Sequence, residues 1–361
     1  MRSASVSTLF RACSAFAVAA VTALGSYAHA DALKIGYSDW PGWSTLDVAK
    51  EKGFFKDAGV DVDLVWMEYL PSMDAFSAGK VDAVAMTNGD AMVTGSSGKK
   101  GKCIVLTDYS DGNDMVVGKP GIDSFKDLKG KKVGLELNLV ENLLFLKALE
   151  ANGMTEADVT LTNVPTNDTP QALATGGVDA IAAWYPVAGQ ALKQVAGSKP
   201  LFTSSQAKGL IYDGIYVSPE SLAAHHDEWM KVVQVYFKTI AYIKDPATHD
   251  EAVKIMAAHV QTDPVAYDKN LKGTHLLDLD ENLAAYKKGD GLDSVYGSSK
   301  VANDFNVKHG VYKDSQDVDS YLTPMFVKMT KGGMDGMMEK GKDAAEKGMD
   351  KGVDKMKDMM K

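Results

Sequence analysis

Acidic and aromatic side chains recur together at a few points of this chain. Ser38-Asp39-Trp40-Pro41-Gly42-Trp43 sets a carboxylate beside two indoles; Glu68-Tyr69, Thr87-Asn88-Gly89-Asp90, the trio Asp108, Asp111 and Asp114, Glu136, Trp184-Tyr185 and Asp213 follow. A ring face next to a carboxylate is what a flat cation needs, a surface to stack on and an acceptor for its N–H groups. Other chemistries are poorly supplied. His225 and His226 are neighbours and on a helix point about 100° apart, a poor metal pair, and His249 and His259 stand alone. Two cysteines, Cys13 and Cys103, make neither a disulfide scaffold nor a cysteine zinc site. No cofactor, metal site or nucleophile–base pair is expected.

These residues fall at the ends of expected strands. Leu33 to Tyr37 reads as a strand leading to Asp39, and Thr45 to Lys52 as a helix stopped by Gly53. Val60 to Met67 alternates like a strand and delivers Glu68, Ser72 to Ala78 is a helix closed by Gly79, and Val81 to Met86 is a strand delivering Asn88 and Asp90. From Phe125 the rhythm restarts. Val133 to Leu135 delivers Glu136, Val140 to Asn152 is a helix ended by Gly153, and Val159 to Val164 and Ala180 to Ala183 are strands, the last delivering Trp184. Asp114 to Val117 and Tyr212 to Val217 read as crossing strands, and from Ser218 to about Tyr321 the chain turns mainly helical. This alternation predicts an α/β fold of two lobes, each a mostly parallel sheet flanked by helices, with ligand at the C-terminal ends of strands. The lobes are expected at 31–114 with 218–324, and at 115–217 between two hinge strands.

The 361 residues carry 48 Asp+Glu against 39 Lys+Arg. That acidic balance argues against nucleic acid, which needs a basic face. Arg2 and Arg11, the apolar stretch Ala15 to Leu24 and the small-residue site Ala28-His29-Ala30 read as a cleavable signal over 1–30. Its loss takes the formal net charge from −9 to −11 and leaves Cys103, in an apolar run, as a small buried hydrophobe. Nine of the 18 methionines fall between Met325 and Lys361 among glycines that each weaken a helix by about 1 kcal/mol, so 325–361 is read as a mobile tail.

Four segments carry a resemblance in the right order: Lys34-Ile35-Gly36-Tyr37, Ala49 to Val60, Ala78-Gly79-Lys80-Val81-Asp82-Ala83 and Ser124-Phe125-Lys126-Asp127-Leu128-Lys129-Gly130. Together, from about Asp31 to Tyr321, they resemble the nitrate/sulfonate/taurine group of ABC-transporter periplasmic binding proteins. Gly36 to Trp43, Thr87-Asn88-Gly89-Asp90-Ala91, Tyr109 to Val117 and Lys288 to Ser294 are similar to the branch named for urea transport and associated with urea-carboxylase-type genes, several of which act on guanidine. The resemblance implies a type II periplasmic-binding-protein fold, a periplasmic location, an ABC permease as partner and urea or guanidinium as ligand. The chain is expected to be a monomer. Thiamine-pyrimidine synthases share the fold, but their cysteine-rich segment and catalytic histidine have no counterpart here.

The candidate ligand-binding residues are Asp39, Trp40, Trp43, Glu68, Asn88, Asp90, Asp111, Glu136, Trp184 and Asp213. Asn88 and Asp90 have helix capping as an alternative, Glu68 a solvated rim, and Trp40 and Trp43 packing on the next helix. Asp111 is preferred to Asp114 because Gly112 lets the backbone approach, whereas Asp114 suits the hinge. Glu136 is the sharpest signal: a binder of sulfonate or nitrate would offer Ser, Thr or Gly there, at a helix N-terminus, and a buried carboxylate wants a cation. Guanidinium, with no acceptor, suits this set better than urea, whose carbonyl needs a donor; taurine, sulfonate or nitrate is the remaining alternative. Ligand would bridge the two lobes and favour a closed form that the permease reads.

Overall fold

The structure is a computed structural model that describes residues 32–333. The expected signal segment 1–30 and residues 334–361 of the Met-rich segment lie outside the described residues. Eleven strands are found among the described residues: β1 (Leu33–Tyr37), β2 (Val62–Trp66), β3 (Ala83–Thr87), β4 (Lys102–Ser110), β5 (Asp114–Gly118), β6 (Lys132–Leu135), β7 (Thr160–Asn163), β8 (Ala180–Trp184), β9 (Lys199–Thr203), β10 (Tyr212–Val217) and β11 (Thr274–Leu276). They form a six-stranded sheet in the order β11-β4-β10-β3-β1-β2 and a five-stranded sheet in the order β7-β6-β8-β5-β9. Helices cover both, so the α/β class expected from the alternation is the one observed.

The inner strands β3 (Ala-Val-Ala-Met-Thr) and β8 (Ala-Ile-Ala-Ala-Trp) are buried at every position. Strands covered on both faces read as continuous apolar runs. Gly79 and Gly153, both at φ 68°, follow the helices Tyr69–Ser77 and Val140–Ala151, where a left-handed turn favours glycine. The long helix His226–Lys244 buries Trp229, Val232, Val233 and Tyr236, and the Tyr236 hydroxyl donates to the Thr107 carbonyl of β4.

Both sheets are mixed rather than mostly parallel. β1 runs parallel to β2 and β3, and β6 parallel to β7 and β8. β10 is antiparallel to β3 and β4, and β5 to β8 and β9. The reason is local: β5 and β10 each enter their sheet from the other one, without the crossover helix that forces parallel pairing. β10, read from sequence as a crossing strand, pairs wholly within the first sheet. The chain therefore crosses at 111–113 and again at 204–211, and the two crossings touch: Ser110 Oγ lies 2.6 Å from Ser204 Oγ, to which the Gly112 N–H also donates at 2.7 Å.

The short strand β11 was not anticipated in the helical stretch. Part of the expected tail also belongs to the body. Residues 325–333 are helical, with Phe326 and Val327 fully buried, and the Thr323 N–H just before them donates to the Cys103 carbonyl of β4 at 2.9 Å.

Candidate functional site

The loop after β1 starts the site. The backbone N–H groups of Trp43 and Ser44 both bond the Trp40 carbonyl, a tight turn that drops both indoles into the interior, each 3% exposed. Trp40 Nε1 donates to Asp108 Oδ1 at 2.8 Å. Gly42 lets this turn sit on that carboxylate, since a Cβ there would lie 1.7 Å from Asp108 Oδ2. After β2, Tyr69 opens the next helix; its ring stacks on Trp43 (centroids 5.3 Å, 29°) and meets Trp184 edge-on (5.2 Å, 83°).

Sheet register then brings acids together. Asp213 on β10 faces Thr87 on β3 and Asp108 on β4, so two carboxyls stand directly opposite on neighbouring strands. Such like-charged pairs are destabilising unless neutralised. In the second sheet Asp114 on β5 faces Trp184 on β8. Glu141, in the helix Val140–Ala151, is fully buried and pairs with the Asp114 carboxyl, and neither of its oxygens has a donor outside the acid cluster. Asp108 pairs likewise with Asp213, and Asp108 Oδ2, Asp114 Oδ2 and Asp213 Oδ2 are buried with no donor other than a neighbouring carboxyl. Asp90 is better satisfied: its Oδ2 accepts from Tyr69 Oη at 2.7 Å and from the Val140 N–H at 3.3 Å.

Trp40, Trp43, Tyr69, Thr87, Ile211 and Asp213 from one sheet, with Asp114, Val140 and Trp184 from the other, enclose a small cavity. Its free volume is about 10 Å³, room for one water. No Lys, Arg or His lines it, and the sequence has no arginine after Arg11. The electrostatics follow. Burial lifts the Asp90 carboxyl to about 7. It also raises Asp114, Asp108 and Asp213, with Asp114 pushing Asp108 up and Asp108 pushing Asp213 up, and it raises Glu141, which Asp114 pushes up further. The arrangement can hold protons or a cation. An anion meets carboxyl oxygens instead.

Four of the sequence-expected residues, Trp40, Trp43, Trp184 and Asp213, are brought to this cavity, and Asp90 stands one hydrogen bond behind it through Tyr69. Five are placed elsewhere. Asp39 accepts from Trp66 Nε1 at 2.6 Å, at a rim where Trp66 is 46% exposed. Glu68 is exposed at the start of the helix Tyr69–Ser77. Asn88 is buried but spent, donating to Ser298 and Ser299 Oγ and accepting from the Tyr212 N–H. Asp111 pairs with Lys208 at 2.8 Å, near the crossing. Glu136 accepts from Thr166 Oγ1 at 3.0 Å, and burial raises its carboxyl, yet it is not on the cavity wall. Among residues not selected from sequence, Asp114 and Tyr69 reach the wall, and Asp108 and Glu141 stand behind it. For Glu141 a signal existed: Leu144, Phe145 and Ala148 follow it at helical spacing and are all buried, so an acid lies on an apolar face.

A family model described as NMT1/THI5 like matches residues 40–248. The chain belongs to the NMT1/THI5-like family. A protein of Brucella abortus (strain 2308) named as a candidate binding protein is 27% identical over 319 residues, covering 85% of this chain and 96% of its own. A candidate aliphatic sulfonates-binding protein of Bacillus subtilis (strain 168) is 24% identical over 295 residues, covering 79% of this chain and 84% of its own. Among solved structures, the ligand-binding component of an ABC-type import system from Staphylococcus aureus, with zinc bound, superposes with a TM-score of 0.69 at 17% identity, over 82% of this chain and 98% of that one. The NMT1/THI5-like chain thus has the periplasmic-binding-protein fold.

Proposed function

We propose that this protein is a periplasmic solute-binding protein that captures a small planar cation, guanidinium above others, and hands it to an ABC importer by closing its two sheets' ends around it. Family membership and relatives named as binding proteins support the transport role. The ligand reading rests on one observation: the cavity wall carries Asp114 and Asp213, one from each sheet, each with a buried oxygen that meets no donor but another carboxyl, beside the rings of Trp43, Tyr69 and Trp184 and no basic side chain. Two carboxylates with ring faces suit a flat organic cation; a hard metal ion would take six or more oxygens. Charge-assisted hydrogen bonds at about 1.5–3 kcal/mol each, with stacking added, support binding near micromolar.

A sulfonate, named for one relative, would be repelled by those oxygens. The helix end that would attract an anion is also taken, because Asp90 already accepts the Val140 N–H. Urea is the second reading, favoured by the buried indole N–H groups of Trp43 and Trp184, which have no acceptor and would suit a carbonyl. Cys103 does not suit a nucleophile's part: it is fully buried in β4, burial pushes its thiol up to about 12, and the Tyr286 hydroxyl donates to it.

Calorimetric titration with guanidinium, urea, taurine and nitrate in parallel tests this. Tight binding of guanidinium with weak or no binding of the others is expected. Tight binding of taurine or nitrate would overturn the cation reading and keep the transport role.

A further inference from the structure

The buried acids outnumber what one monovalent cation can neutralise. Asp213 and Asp108 face each other in register across β10 and β4, Glu141 packs on Asp114, and Asp90 sits beside the same cavity. All five are 3% exposed or less. Two carboxylates in contact inside a protein do not both stay charged; one keeps a proton. Among the described residues no Lys, Arg or His is among the strongest influences on any of the five; those are each other, Glu136, the Tyr69 and Ser110 hydroxyls, Trp40 Nε1, Thr87 and Thr107, the Val140 N–H and the Asp114 backbone.

From this geometry we propose that ligand capture is a proton–cation exchange. Without ligand the five carboxyls share protons; when the cation settles between Asp114 and Asp213 one of those protons leaves for solvent, so charge inside the site is conserved. The inference rests on the cation reading above. Glu141 has a defined part in it. It lies behind Asp114, off the cavity wall, and holds the proton that Asp114 must not hold when it accepts an N–H from ligand; it is a positioning residue for Asp114. Glu136 is close enough to push the Asp90 and Glu141 carboxyls up, and exposed Glu68 pushes Glu136 up in turn.

Exchange has a selectivity consequence that simple burial of acids lacks. A neutral molecule of the same shape displaces no proton, so its affinity stays flat with pH. A cation competes with protons, so its affinity falls as the medium becomes more acid.

The test is calorimetric titration of the protein with guanidinium at pH 7 in phosphate and in Tris, whose ionisation enthalpies differ widely, repeated at lower pH. The expected result is a buffer-dependent enthalpy equivalent to about 0.5–1 proton released per guanidinium, and a Kd that weakens toward about tenfold per pH unit on acidification. Glu141→Gln is expected to keep guanidinium binding while releasing fewer protons and flattening the pH profile, a readout that a purely packing role would not move. The infrared band of protonated carboxyls in the ligand-free wild type should lose intensity on adding guanidinium, which tests the exchange without any variant. Tight guanidinium binding with equal enthalpies in both buffers, a pH-independent Kd and an unchanged carboxyl band would overturn the exchange and leave the cation reading standing. Absence of guanidinium binding would overturn both.

Discussion

Asp213 meets Asp108 across two strands with no positive group between them. An acid pair in that position weakens the ligand-free fold, and the arrangement makes chemical sense as a seat for positive charge. Asp213→Asn keeps the shape and removes the charge, so guanidinium affinity should fall about 10–100-fold, the equivalent of one charge-assisted hydrogen bond, while urea affinity changes much less. Calorimetry on both ligands checks this, and equal losses would remove Asp213 from its role. The same residues show what was legible in the sequence. Trp40, Trp43, Trp184 and Asp213 were readable because each lies on or just past an expected strand. Asp108 stood in the same acidic cluster as Asp111, yet only the pairing of β4 with β10 decides between them: register places Asp108 opposite Asp213, while Asp111 falls in the crossing and pairs with Lys208. Glu136 is buried as the sequence argument expected but lies off the cavity wall, whereas Glu141, five positions on, is the one fully buried.

At the scale of elements, the helix Asn88–Ser96 of the first sheet meets the helix Val140–Ala151 of the second through Asp90 and the Val140 N–H. A negative side chain at a helix N-terminus is favourable, but burial holds the Asp90 carboxyl at about 7. Its folded value lies above the unfolded value of 3.8, so the folded state binds the proton more tightly. This contribution to stability is fully present below about pH 4 and is lost as pH rises through about 7. The ligand-free protein should therefore melt at a higher temperature at pH 5.5 than at pH 8, and Asp90→Asn should make that difference smaller. Thermal melts of both proteins across this range test it; an identical pH dependence in the variant would show that Asp90 does not titrate there. The helices and strands themselves were mostly legible, because apolar runs and stopping glycines mark them. The antiparallel course of β5 and β10 was not, because nothing local in those residues says which sheet they join.

The whole molecule places acids of two separate sheets around one small cavity. Asp90, Asp108 and Asp213 come from the first sheet and its helices, Asp114 and Glu141 from the second, and the only covalent links between the sheets' halves among the described residues are the two crossings at 111–113 and 204–211. On the proposed function, like charges on both sides oppose closure until protons or a cation neutralise them, which would couple shape to ligand. The two-part organisation was legible as a rhythm that restarts; the cavity between the parts was not, since it depends on contacts between residues as far apart in the chain as Tyr69 and Trp184. A crystal structure of the protein grown with guanidinium tests the central claim most directly. The expected result is guanidinium inside a cavity widened beyond its present one-water size, its N–H groups on Asp213 Oδ2 and Asp114 Oδ2 and its plane against the aromatic wall. Guanidinium seated instead at Glu136 and Thr166, or at the Asp39–Trp66 rim, with the cavity unchanged, would contradict it.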